Sequence, residues 1–464
     1  MTTTSAPPID TARERLQAEV RGRVILPDDA DYDAARTVVT GGIDLHPAII
    51  VRVADADDVA RVVTVARDLG IELAVRSGGH SGAGHGGTEG GIVLDVRDLD
   101  SLQIDVPGRT AWAGSGLTAG AYTVAVAEHG LATGFGDTGS VGIGGITLGG
   151  GVGYLGRKHG LTIDALLAAE IVTADGQVRV VDAETEPDLF WAIRGGGGNF
   201  GVVTRFRFRL YELPSMVGGI LVLPATPETV AGFIAAADAA PDELSAIANV
   251  MPCPPMPFVP EEHHGTTVIL ALVVYAGDTT AGERAVAPLR ALATPIADLI
   301  AEAPYPSIYM PEDEDYHPLA VARTLFMDRL ELDEAGTIMS MLAASDSPMR
   351  VAQLRVLGGA IARVPADATA YAHRQRPIMV NVAAFYEGDA DRPVKEQWVT
   401  SFAAALRQGD DAAYVNFLVD EGPARVHAAY PGATWDRLAA IKRRYDPTNL
   451  FHRNQNIPPD GGAA

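Results

Sequence analysis

The chain has 464 residues, 47% hydrophobic and 20% charged, enough for two or three domains with sizeable cores and too apolar for long disordered stretches. Its 36 Lys and Arg stand against 59 Asp and Glu, a formal charge of −23 with no basic stretch to relieve it, so neither nucleic acid nor an anionic membrane surface is expected as a partner. A single cysteine, Cys253, excludes an intramolecular disulfide and argues against a cysteine-ligated zinc site. Met1–Asp10 lacks the basic start and apolar core of a signal peptide, and the longest apolar run, Val268–Ala276, is too short to cross a bilayer. A soluble cytoplasmic protein is expected, with no membrane partner and no sign of its oligomeric state.

Asp55–Leu69 has Val59, Val62, Val63 and Ala66 at helical spacing and Gly70 as its stop, so it reads as an amphipathic helix. A buried strand, Ile71–Val75, leads from it into a glycine turn. Gly91–Val96 is the next strand and Leu117–His129 the next helix, ended by Gly130. Glu170–Ala174 and Gln177–Val181, joined by Asp175-Gly176, read as a hairpin. Pro187–Arg194 is a short helix, and Val202–Leu210 alternates as a strand does. Composition shifts near Pro214. From there helices at Pro227–Ala239 and Thr280–Leu292 are interspersed with strands at Thr266–Tyr275, Met349–Leu357 and Pro377–Phe385, as in a separate domain built on a sheet. A last helix, Thr434–Arg444, precedes a polar tail. The fold class is α+β.

Three glycine-rich loops, at Gly78–Gly79, Gly142–Gly156 and Gly195–Gly198, fall in the first half of the chain, and His80 follows the first. A strand that ends in glycines can bring backbone N–H groups close to phosphate oxygens, and three such loops point to one large phosphate-bearing cofactor. Gly151-x-Gly153-x-x-Gly156 matches the dinucleotide fingerprint in letters only. Glycines precede it where a strand is needed, and Gly160 interrupts the helix that should follow. The eleven histidines show no metal-ligand spacing, so no metal site is assigned. Gly139-Ser140-Val141-Gly142 lacks the spacing of a hydrolase nucleophile elbow.

These segments resemble the FAD-linked oxidases of the berberine-bridge-enzyme type, within the vanillyl-alcohol-oxidase superfamily with its PCMH-type FAD-binding domain. The carrying motifs begin with Arg76-Ser77-Gly78-Gly79-His80-Ser81 and with Thr138-Gly139-Ser140-Val141-Gly142-Ile143-Gly144-Gly145, followed by Ile146 and by Leu148-Gly149-Gly150-Gly151. Asp188 to Gly201, containing Gly198 and followed by Val202, comes next. Tyr414-Val415-Asn416-Phe417, Tyr445 to Phe451, and Asn454 and Asn456 of the tail complete the set, which spans Pro47 to Pro459.

The resemblance implies an FAD domain over 1–214, a substrate domain with an antiparallel sheet flanked by helices over 215–413, and a return of 414–464 to the FAD domain. It implies that the imidazole of His80 bonds the flavin, that the glycine loops hold the pyrophosphate, and that Asn416, Asn454 and Asn456 lie near the cofactor. Thr138 stands where many relatives carry a cysteine that makes a second flavin bond. A single covalent link through His80 is therefore expected, as in the hydroxynicotine-oxidase-like members. Val152 and Met379 replace a tyrosine and a lysine of the plant enzymes, and Asn381 replaces their glutamine. Arg363 aligns with the glutamate base of the berberine-forming type, so that chemistry is not inherited.

Tyr414, on the family's Tyr-x-Asn strand, is the leading candidate for a base, provided the site eases the loss of a phenol proton that normally leaves near pH 10. Tyr386, Gln353 and Asn381 are further catalytic candidates. A small aliphatic at Val141, the position associated with oxygen access, favours an oxidase. The expected activity is hydride transfer from a small-molecule C–H to FAD, then electron transfer to O2 with release of hydrogen peroxide. Alcohols, sugars and secondary metabolites are favoured over amines as substrates. A flavin dehydrogenase with another acceptor, and a ligand-sequestering protein on the same scaffold, are the alternatives.

Overall fold

The computed structural model describes residues 8–311, 313, 316–388 and 390–461, so Met1–Pro7 of the segment tested for a leader lies outside the described residues. Among the described residues no helix is long and apolar enough to cross a membrane.

The helix read from the Val59 periodicity runs Ala56–Leu69. The Asp55 side chain accepts from the Asp58 N–H at 3.0 Å and caps its start, while Gly70, at φ 64°, ends it in the left-handed conformation a Cβ resists. Val59, Val62, Val63 and Ala66 are fully buried against a four-stranded sheet. In order, its strands are Arg23–Ile25, Ile49–Arg52, Ile92–Asp95 and Leu73–Arg76, the last three parallel. The fourth strand starts later than expected because the Ile71 N–H turns back to the Ala66 carbonyl. It therefore ends directly at Ser77-Gly78-Gly79-His80, which places that loop at the carboxyl edge of a buried parallel sheet.

A second, antiparallel sheet follows, in the order Leu102–Asp105, Thr110–Gly114, Val202–Arg209, Leu166–Val172 and Val178–Asp182. Its hairpin holds Asp175-Gly176 as expected, but the turn takes in 173–177. The Thr173 hydroxyl donates to Asp175 at 2.6 Å, and Thr173 N–H closes on the Gln177 carbonyl. Helices Ala119–Ala127 and Pro187–Ala192 pack in the same core as the later helices Pro423–Ala429 and Ala433–Tyr445, through Tyr122, Trp191, Val426 and Leu438. The end of the chain thus returns to its first half.

Between these parts lies an eight-stranded sheet built from 216–385 and paired antiparallel throughout. Helices Pro227–Ala239, Thr279–Arg290, Leu332–Ala343 and Arg392–Leu406 cover one face only. Side chains alternate across a strand. In Ile378–Phe385, Val380, Val382 and Ala384 face the helices, whereas Met379 packs on the opposite side with Tyr371 and Tyr414.

Tyr386 has the parity of Val382 and Ala384 and is buried in the helix-side core. It belongs to the packing of that core and lies across the sheet from the candidate site, which corrects its selection as a catalytic candidate. The Tyr-x-Asn segment is not a strand either. Val415–Phe417 forms a 3₁₀ turn, with Phe417 N–H bonded to the Tyr414 carbonyl at 2.9 Å, and among the described residues it pairs with no strand.

Candidate active site

All three glycine loops open on one cavity of about 420 Å³, which Arg355 of the large sheet lines from the side opposite its four helices. Arg76, Ser77, Gly78, Gly79, His80 and Ser81 line it from the first loop. Thr138, Val141, Gly142, Gly144, Gly145 and Ile146 line it from the second, and Gly198, Gly201 and Val202 from the third. Tyr414, Asn416 and Asn454 come from the returning segment.

The glycines do two jobs. A Cβ on Gly78 would stand 2.3 Å from the Gly142 nitrogen, and one on Gly142 would stand 2.1 Å from Ser77 Oγ. These two permit backbone-to-backbone contact of the first and second loops. Gly145 and Gly198 instead have nothing within 4 Å of where a Cβ would be, so their bare backbones face open cavity. Asn454 Oδ1 is buried without a hydrogen-bond partner and is a spare acceptor in the same wall. Three glycine loops, exposed bare backbone and an orphaned amide oxygen fit a long, flat, phosphate-bearing group such as FAD.

His80 and Ser140 tie the first two loops together, with Ser140 Oγ 2.9 Å from His80 Nε2. The second loop is anchored just upstream by Phe135, whose buried ring meets Tyr122 and Phe208 edge-on at 5.0 and 5.5 Å. Arg76 reaches the cavity wall, but its guanidinium is committed to Asp95 at 3.0 Å, both groups being buried. It braces the strand end beneath the loop.

Tyr414 is buried in the cavity wall. Its hydroxyl oxygen accepts from the Gly151 N–H at 3.0 Å and from Asn416 Nδ2 at 2.9 Å. Both partners are donors, so the phenol keeps its own hydrogen for a third direction. Burial pushes the proton affinity of Tyr414 above that of a free tyrosine. Asn416, the Gly151 and Val152 backbone and the Arg355 charge act against that rise.

Other candidates sit outside the lining. Gly149 lies under Asn416, where a Cβ would be 1.9 Å from Oδ1, and Gly150, at φ 129°, lies against the rings of Tyr371 and Tyr414. Gly139 accepts from the Gly120 N–H at 2.8 Å, and Asn456 Oδ1 is buried without a partner. Gln353 and Asn381 are cross-strand neighbours, with Gln353 donating to Asn249 at 3.0 Å and Asn381 Oδ1 orphaned. Arg363 is exposed and pairs with Asp242, away from the cavity.

The residues missed from sequence are Asp137 and Arg355, both in the lining and joined at 2.7 Å. The alternation Gln353-x-Arg355 inside an apolar strand was the available signal, since two polar side chains on one face of a buried strand must meet a partner.

The family model described as FAD binding domain matches residues 47–182, and that described as berberine and berberine-like matches 413–458. The chain is 34% identical to (R)-6-hydroxynicotine oxidase of Paenarthrobacter nicotinovorans over 461 residues, which is 95% of this chain and 98% of the relative. It superposes on the crystal structure of 6-hydroxy-D-nicotine oxidase from Arthrobacter nicotinovorans with a TM-score of 0.84 at 31% identity, covering 95% and 98% of the two chains. The berberine-bridge-like protein 1 of Physcomitrella patens shares the fold at a TM-score of 0.86 and 23% identity, over 97% and 99%. With matching domains at both ends and a relative aligned over nearly its whole length, the chain belongs to the berberine-bridge-type family of FAD-linked oxidoreductases.

Proposed function

We propose that the protein is an FAD-dependent oxidase of a small-molecule substrate, with the flavin held by one covalent bond through His80 and hydrogen peroxide as a product. The FAD site is assigned to 1–214 with the returning segment 414–464, the substrate side to 215–413, and the protein to the cytoplasm. The bound flavin supplies the hydride acceptor and the path of electrons to O2.

The carrying observation is the Tyr414 hydroxyl, fixed by Gly151 and Asn416 in the wall of the cavity that also contains the His80 loop. Once its own proton has left along that third direction, the Tyr414 phenolate takes the proton of a substrate O–H or N–H as the adjacent C–H bond breaks. The Gly151 and Asn416 donors stabilise the phenolate until that transfer. Ile146, Val152 and Phe417 keep this end of the cavity apolar, so those polar contacts act with little competition from water. Thr138 offers no thiol for a second flavin bond.

A panel of alcohols, sugars, amines and phenolics screened for peroxide release identifies the substrate class, and the hydroxynicotine relative is the reason amines are included. Tyr414→Phe should slow anaerobic flavin reduction by roughly 10²-fold or more, and an unchanged rate removes Tyr414 from the chemistry. Acid precipitation should leave the yellow colour with the wild-type pellet and release it from His80→Ala. Reoxidation of the reduced enzyme over minutes in oxygenated buffer would overturn the oxidase assignment.

A further inference from the structure

We propose that Arg355, held across the domain boundary by Asp137, is a positioning residue that sets how readily the Tyr414 hydroxyl exchanges its proton. The proposal rests on the reading of Tyr414 as the base.

Arg355 is 4% exposed and yet lines the cavity. Its guanidinium is fixed from four sides. Nη2 donates to Asp137 Oδ2 at 2.7 Å, and Nε and Nη2 donate to Gln353 Oε1 at 3.1 and 2.7 Å. Nη1 lies 3.5 Å from the Val152 carbonyl, and the group sits over the Phe417 ring at 5.0 Å. One side chain therefore joins the second flavin loop, the large sheet and the returning segment. Val152 adjoins Gly151, whose N–H supports the Tyr414 oxygen. The cation stands beside the backbone run that supports the Tyr414 oxygen, and its charge opposes the rise in that oxygen's proton affinity.

Other titratable side chains also stand around Tyr414. Tyr371, with ring centroids 6.1 Å from Tyr414, and Tyr430 face it as phenols kept neutral by burial. Behind Tyr371, Arg374 is committed to Asp164 at 2.6 and 2.8 Å, and His373 bonds the Ala428 carbonyl at 3.2 Å. Asp137 partly neutralises Arg355, so the pair works as an adjustable source of field. Removal of the arginine charge disfavours the phenolate, whereas removal of the aspartate charge favours it.

The test places 3,5-difluorotyrosine at position 414 alone in the flavin-loaded protein, because its more acidic phenol titrates where the protein is folded, and follows the fluorine resonance with pH. Arg355→Gln should raise the midpoint by about one pH unit or more, and Asp137→Asn should lower it by a similar amount. Arg355→Lys, which keeps the charge but not the fork, should stay closer to wild type than Arg355→Gln does. The pH dependence of anaerobic flavin reduction should move in the same directions. Shifts of one sign in both charge-removing variants, no shift in either, or Arg355→Lys matching Arg355→Gln would overturn the proposal. If Tyr414→Phe reduces flavin at the wild-type rate, the base assignment alone fails, since the fluorine titration reads the field of Arg355 regardless of catalysis.

Discussion

Substituting Lys442 by methionine should unlatch the returning segment while keeping the volume of the buried side chain. Lys442 is fully buried, and its ammonium donates to Asp446 at 2.6 Å, to the Asn199 carbonyl at 2.8 Å and to the Phe451 carbonyl at 2.9 Å. Asp446, equally buried, accepts from the Leu450 and Phe451 N–H groups at 2.8 Å each. Burial depresses the proton affinity of Lys442 and the aspartate opposes that, so the charge persists only as one of a pair. Lys442→Met leaves a buried carboxylate without its cation and two carbonyls without donors, a loss of about 3–5 kcal/mol. Hydrogen exchange at the Leu450 and Phe451 amides reads it directly, because each 1.4 kcal/mol is about a tenfold loss of protection. Protection should fall by between two and four powers of ten. Lys442→Met/Asp446→Asn should recover at least about 1 kcal/mol, since no bare charge remains. A loss below about tenfold, or no recovery in the double variant, would refute the reasoning.

Gly145→Val adds a side chain in open cavity at a residue whose backbone tolerates one, so stability should change by no more than about 1 kcal/mol while the flavin-to-protein absorbance ratio falls at least about tenfold. Gly149→Ala drives a methyl into Asn416 and should slow flavin reduction by roughly tenfold or more. In an Asn416→Ala background the same change should add nothing, and stopped-flow rates of the two single variants and the double check this. Stability should decline above about pH 10. Burial keeps Tyr371, Tyr414 and Tyr430 protonated beyond the usual range, and burial with the help of Glu186 pushes Tyr445 up to about 12. The unfolded chain therefore sheds protons first as pH rises through 10, and urea midpoints should be level near neutrality and fall beyond about pH 10.

Much of the frame was legible because its causes are local. Asp55, the valine periodicity and Gly70 define a helix within sixteen positions, and the glycine loops mark themselves by composition. What stayed hidden depends on distance along the chain or on direction across a sheet. Asp137 and Arg355 meet over 218 residues, and the Gln353-x-Arg355 alternation signals that a partner is needed without saying which. Tyr386 was misplaced although the alternation through Val380, Val382 and Ala384 already assigned it to the helix side. Tyr414 lines the cavity, but its segment looks like a strand in sequence and closes into a turn in the fold, as extended-looking residues without a pairing partner do.

The order in which the walls are made has a consequence for maturation. Tyr414 to Leu418 and Phe451 to Gln455 complete the cavity, yet they leave the ribosome after every other residue that lines it. A nascent chain offers the three glycine loops with one side missing, so stable cofactor capture has to wait until translation has passed Gln455. Fusion partners or truncations that strain this late segment would therefore yield well-expressed but colourless protein.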